Sequence, residues 1–202
     1  MGSEGIADVT KPSPTARERI VAGAADMISR RGLNATSIRE MAKHARAPLG
    51  STYHYFPDGK QQLATEAVRY AGEFAARNLR KELAAGPVAG LRAFLGLWRT
   101  IVVESDFHAG CPVLAVSIEE PPTDEIPAAV AAAAEVFEEW ENLLATSLQE
   151  HGADPGQARQ LATLIVAATE GTVAMCRAKR STQPLDHTAQ QLQALVLATI
   201  KN

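Results

Sequence analysis

An all-α fold is predicted by three observations on this chain of 202 residues. Apolar side chains recur every three or four positions through nearly all of it. Hydroxyl or carboxylate caps, prolines and glycines punctuate these stretches where helices start and stop. The one short apolar run that could form a strand, Val113 to Ile118, has no second strand to pair with. About nine helices follow: three short ones in an N-terminal head and the rest in a C-terminal body. The expected divisions are an N-terminal arm over 1–14, a head over 15–60 and a body over 61–202.

The head can be read residue by residue. From Thr15 to Arg31, Ile20, Ala24, Met27 and Ile28 form an apolar stripe, and Gly32 closes the helix. Thr36 or Ser37 can cap a second helix, with Glu40 three residues after Ser37 as a capping box requires. Ile38, Met41 and Ala42 then face the core. Ala45-Arg46-Ala47-Pro48 makes a tight turn, and Pro48 suits the first turn of a third helix ending near His54.

So short a helix needs support, which Tyr53, Tyr55 and Phe56 offer from beneath, two of them as core. Its outer face is expected to present Leu49, Ser51, Thr52 and His54, small or polar enough to approach base edges. Three short helices, an aromatic cluster and Lys60 beyond it have the layout of a helix-turn-helix DNA-binding head. Charge agrees: residues 1–60 carry nine Lys and Arg against six Asp and Glu, whereas the remainder carries eleven against seventeen. The overall charge of −3 argues against a general nucleic-acid coat, but a specific operator binder needs only a local basic face.

In the body, a long fourth helix is predicted from about Lys60 to Ala84, capped by Asp58, with Leu63, Ala67, Tyr70, Phe74 and Leu83 as its apolar face. A fifth carries Leu91, Phe94, Leu95, Trp98, Ile101 and Val102. Val113 to Ile118 is read as a short buried helix, followed by the acidic, proline-rich connector EEPPTDEIP. Ala128 to His151 forms the seventh, and Asp154-Pro155 starts an eighth that runs to the basic stretch Arg177 to Arg180. A ninth follows Pro184. The apolar faces of the last two are wider than one core partner needs.

The segment ATSIREMAKHARAPLGSTYHYFPDGKQQL resembles the signature of TetR-family regulators. GCPV at Gly110 to Val113 and the late RSTQPLD further resemble the LmrA/YxaF-like branch. This resemblance implies that Thr36 or Ser37 meets a phosphate at the start of the second helix. It implies that Tyr53, His54 and Lys60 touch the DNA backbone, and that Arg39, Lys43, Leu49, Ser51 and Thr52 reach towards bases or nearby phosphates. Many relatives have glycine where this chain has Arg46, which must then accept a left-handed backbone or a different turn, and which can offset that with a phosphate contact.

The resemblance also implies a homodimer whose last two helices form a four-helix bundle across a two-fold axis, placing two heads on a pseudo-palindromic double-stranded operator. It further implies an effector pocket. Phe94, Trp98, Val102, Phe107, Cys111, Phe137, Trp140, Val173 and Met175, with His108, Thr169 and Glu170 as polar groups, would suit a small hydrophobic or aromatic ligand. Taken singly, each reads better as an ordinary core residue, and only the resemblance raises the pocket above that. Such a ligand would release DNA by favouring wrongly spaced heads, with the fourth helix as lever.

No nucleophile elbow, phosphate loop, metal-ligand helix or dinucleotide fingerprint points to an enzyme, a cofactor or a metal. Cys111 and Cys176 read as reduced buried thiols, a redox-sensing role for Cys111 staying open. No secretory signal, lipid motif or transmembrane run is read, so a cytoplasmic protein that binds no membrane is expected. The competing reading is a helical small-molecule binding or scaffold protein with weak or lost DNA binding.

Overall fold

The computed structural model describes residues 15–120 and 126–200, and among these the regular structure is entirely α-helical. The expected arm over 1–14 and residues 121–125 of the connector lie outside the described residues. α1 (Ala16–Arg31) starts at Thr15, whose Oγ1 accepts the Glu18 N–H at 3.2 Å while Glu18 Oε2 accepts the Thr15 N–H at 2.7 Å. α2 (Ile38–His44) repeats the device with Ser37 and Glu40. Ser37, not Thr36, is therefore the cap.

The turn after α2 explains Arg46. The Ala47 N–H donates to the Ala42 carbonyl at 2.9 Å and the Arg46 N–H to that of Lys43 at 3.1 Å, the paired bonds of a Schellman motif. Arg46 sits at its left-handed position with φ +53°, so the bulky side chain accepts the geometry. α1 approaches this turn closely: a Cβ on Gly23 would lie 2.9 Å from Ala45 Cβ. α3 (Leu49–Tyr55) follows, with Pro48 as its extended N-cap residue and not within its first turn.

α4 (Gly59–Leu83) differs from expectation in two ways. The Asp58 carboxylate makes no capping bond; the Asp58 N–H instead donates to Gln62 Oε1 at 3.2 Å. Tyr70 and Phe74 are exposed, because α4 packs through smaller residues, Ala64, Ala67, Val68, Ala75 and Ala76. Gly72 lets α7 (Ala128–Glu150) approach, since a Cβ there would overlap Val136, and its carbonyl accepts the Trp140 indole N–H at 3.1 Å.

α5 (Pro87–Glu104) begins earlier than its apolar pattern suggests, with Pro87 in its first turn. Its Phe94 and Trp98 meet Trp140 edge-to-face with ring centroids 5.4 and 6.0 Å apart, and Phe137 adds a fourth ring at 5.8 Å from Trp140. Each such pair adds about 1 kcal/mol beyond area burial. α6 (Pro112–Ser117) is the short buried helix expected from Val113 to Ile118.

α8 (Pro155–Lys179) starts where Asp154 Oδ1 accepts the N–H groups of Gly156 and Gln157, and α9 (Gln183–Thr199) packs against it. Contrary to the sequence reading, α8 is long and apolar enough by composition to cross a membrane. Half of its apolar window is instead buried against the other helices, as in a core helix. One continuous apolar cluster runs from Ile20 in α1 to Val196 in α9.

Candidate nucleic-acid interface and effector hollow

The surface built by α2, the turn and α3 presents Ser37, Arg39, Lys43, Arg46, Ser51, Tyr53 and His54 exposed, with Leu49 and Lys60 half-buried beside them. Tyr53 is 50% exposed, while Tyr55 is half-buried and Phe56 fully buried, so two of the three aromatics do brace the head. Arg17 stacks over Phe56 at 5.2 Å and pairs with Glu66 of α4, fixing α1 to α4. Among the described residues, Arg39, Lys43 and Arg46 join no ion pair within the chain. Their charge is therefore available to an anion.

Two residues expected on this surface are not there. Thr36 is buried, with its hydroxyl donating to the Leu33 carbonyl at 2.9 Å. Thr52 is fully buried and donates to the Pro48 carbonyl at 3.1 Å, locking the first turn of α3. In each case a local backbone acceptor captures the hydroxyl. The Glu40 carboxylate, bonded to Ser37 and near Lys60 and Arg31, is held below its ordinary pKa and keeps the cap charged.

The tip of α1 is gripped from the body at two points. The Arg177 guanidinium of α8 donates to the carbonyls of Ser29 at 3.2 Å, Arg30 at 3.1 Å and His108 at 3.0 Å. A cation there also suits the negative end of α1. Glu119, just beyond α6, accepts the N–H groups of Leu33 and Asn34 at 2.6 and 2.7 Å. Gly32, at φ +79°, leaves room for that carboxylate, which any Cβ would strike.

The expected effector residues do not share one cavity. Phe94, Val102, Trp140 and Thr169 are buried in close packing, because the large rings interlock across α5 and α7, while Trp98 also borders a hollow of about 270 Å³ with Tyr70, Phe74 and Ile101. His108 is exposed, and Phe107 lies in the α5–α6 turn under the Arg180 guanidinium. Two hollows use the remainder. One of about 290 Å³ joins Cys111 and Val173 to Ile28, Gly32, Glu119 and Arg177 at the grip on α1. The other, about 450 Å³, is lined by Leu114, Phe137, Val166 and Glu170. Leu114 borders both. A larger groove of about 550 Å³ between α4 and α7 is walled by Arg80, Glu135, Glu138 and Glu139, a poor match for an apolar ligand.

Cys111 and Cys176 are both buried and unpaired. Burial, followed by the nearby Glu170 carboxylate, pushes the Cys111 thiol far up, so this cysteine is not the accessible, activated thiol that redox sensing needs. Glu119 and Arg177 were not singled out by sequence for their roles, and no local pattern marks them. Glu170 does carry a signal: it is the one acid in the stretch Leu161 to Cys176.

A basic surface on α2, the turn after it and α3, carried by seven further helices among the described residues, defines a helix-turn-helix transcriptional regulator. The chain belongs to the TetR family, and its body to the LmrA/YxaF-like branch. A profile described as bacterial regulatory proteins of the tetR family matches residues 20–67, and one described as the C-terminal domain of LmrA/YxaF-like transcriptional regulators matches residues 87–191. An uncharacterized HTH-type transcriptional regulator of Mycobacterium tuberculosis is 40% identical over 187 residues, covering 91% of this chain and 95% of the relative. YxaF of Bacillus subtilis, also uncharacterized, is 31% identical over 182 residues, covering 89% and 94%. A TetR regulator from Legionella pneumophila shares the fold with a TM-score of 0.80 at 19% identity, covering 91% of this chain and 98% of its own. The family consists of DNA-binding regulators, not enzymes.

Proposed function

We propose that the protein is a repressor that binds a palindromic operator as a homodimer and leaves it when a small hydrophobic effector enters the body. The observation that carries this reading is the set of exposed basic residues Arg39, Lys43 and Arg46 beside α3, without ion-pair partners among the described residues, on a chain of net charge −3. The operative division is a reading head over 15–60 and a dimerising, ligand-binding body over 61–202, acting on chromosomal DNA in the cytoplasm.

Dimerisation is supported by the outer faces of α8 and α9, where Leu164, Met175 and Leu195 are 46, 48 and 44% exposed. A second copy covering them would place two α3 helices on successive major-groove faces, roughly 34–36 Å apart or a related spacing. Release is supported by the position of the 290 Å³ hollow, whose walls include both Glu119 and Arg177. A ligand that spreads this hollow loosens the hold on Leu33 and Ser29, and a coupling of about 1–3 kcal/mol suffices for regulation.

The test is fluorescence-anisotropy titration of a palindromic duplex with the wild type, Arg39→Ala and Lys43→Ala across a salt series. Each alanine variant loses affinity and flattens the salt dependence by about two phosphates per dimer, one per subunit. Wild-type affinity and slope in both variants would defeat the proposal and favour a scaffold that has lost DNA binding.

A further inference from the structure

Glu170 is 4% exposed, and neither of its carboxyl oxygens has a hydrogen-bond partner among the described residues. The Cys111 thiol beside it is held protonated by burial and is at best a weak donor. Desolvation raises the Glu170 pKa to about 7. An acid kept in the interior without donors is a liability, since an apolar residue of similar size would pack there at lower cost. The Cys111 thiol offsets that burial only in part, and among the described residues no stronger donor meets this carboxylate.

The adjoining space points to a use. The hollow of about 450 Å³ beside Glu170 has apolar walls from Leu114, Phe137, Val166 and Ala167, and its other acid, Glu141, is half-buried. No basic side chain lines it. An apolar chamber with a donorless acid lacks one component, a cationic N–H donor on a hydrophobic body. An anion would meet two carboxylates, and a neutral hydrophobe would leave Glu170 as orphaned as before.

We infer that Glu170 anchors a protonated amine carried on an apolar or aromatic body, which Leu114, Phe137 and Val166 enclose. This inference rests on the effector reading above, seats the ligand in the hollow on the other side of Leu114 from the grip on α1, and adds its chemical class. The ammonium supplies the donors that Glu170 lacks and holds it ionised, and a charge-assisted bond to a buried carboxylate is roughly twice as strong as a neutral one. The consequence reaches the head through Leu114. It borders both hollows and sits on α6, three residues before the chain leaves that helix towards Glu119.

Isothermal titration of the full-length protein with naphthylmethylamine, the corresponding naphthyl alcohol and naphthoic acid tests the inference. The amine is expected to bind at least about tenfold tighter than the alcohol, and the acid most weakly. In Glu170→Gln the preference for the amine shrinks to within about threefold. Equal binding of amine and alcohol by the wild type, or an undiminished preference in Glu170→Gln, overturns the inference. If Glu170→Gln fails to fold, Thr163→Trp, which narrows the exposed rim, must weaken the amine about tenfold, and unchanged binding there overturns it as well. Anisotropy with labelled duplex separates the two readings: an amine that binds with the stated preference but leaves DNA bound upholds the site and refutes effector release.

Discussion

Replacing Gly32 by alanine attacks the joint between head and body. Gly32 combines φ +79° with ψ 168°, a region that only glycine enters freely, so any side chain there costs about 1–3 kcal/mol. The added Cβ also strikes Glu119 Oε1, which accepts the Leu33 N–H at 2.6 Å while its other oxygen accepts the Asn34 N–H at 2.7 Å. Displacing the carboxylate forfeits two charge-assisted bonds, which at this half-exposed position are together worth about 2 kcal/mol. The sum is about 4 kcal/mol, or roughly 8–16 °C in Tm for a chain of this size. Chemical denaturation at one fixed protein concentration measures it, because a dimer's stability depends on concentration. The two parts separate in a cycle with Glu119→Ala. There the backbone cost of Gly32→Ala persists and the collision cost vanishes, leaving a coupling of about 2 kcal/mol. Identical costs in both backgrounds would refute the claim that Glu119 occupies the space Gly32 vacates.

Further outcomes follow from the same geometry. Arg46→Gly relieves a left-handed non-glycine residue and is expected to stabilise the fold by about 1 kcal/mol in thermal melts while weakening DNA binding and its salt slope, so a destabilised variant counts against the Schellman turn. The raised pKa of Glu170 makes stability fall with pH. Below the ordinary value of 4.5 both folded and unfolded chains hold the proton; between 4.5 and about 7 only the folded chain does, and above about 7 the protein must bury a charge. The stability of wild type relative to Glu170→Gln should therefore drop by about 3 kcal/mol between pH 4.5 and 7 and then level off, and a pH-independent difference would contradict the burial of this acid. Leu164→Glu combined with Leu195→Glu should turn the dimer into a monomer in light scattering and abolish cooperative operator binding; a persistent dimer would place the interface elsewhere.

The head was legible because its determinants are local. Capping pairs three residues apart, a proline beside a turn and an aromatic run fix α1, α2 and α3 within about 40 residues of sequence. α6 was recovered by an argument about pairing partners and not by its composition. The errors share one cause, that helical period alone does not settle which way a side chain faces, which its hydrogen-bond acceptors and packing neighbours decide, some of them near in sequence and some far. Thr36 and Thr52 look like surface hydroxyls until a backbone carbonyl is seen to take each proton inward. Tyr70 and Phe74 obey the helical period of α4, yet the small residues beside them make the contacts. The large aromatics suggested a cavity and instead fill one another's space, which volume alone cannot distinguish. Glu119 and Arg177 act on partners 86 and 148 residues away, so no window of sequence contains either pairing.

Specific recognition of DNA by paired heads is tested most directly by titrating a fluorescent duplex from the region upstream of the protein's own gene, at about 150 mM salt with unrelated duplex in excess. The account predicts nanomolar, competitor-resistant binding that saturates at two chains per palindrome. Equal, salt-labile binding to every duplex, or saturation at one chain, would contradict it.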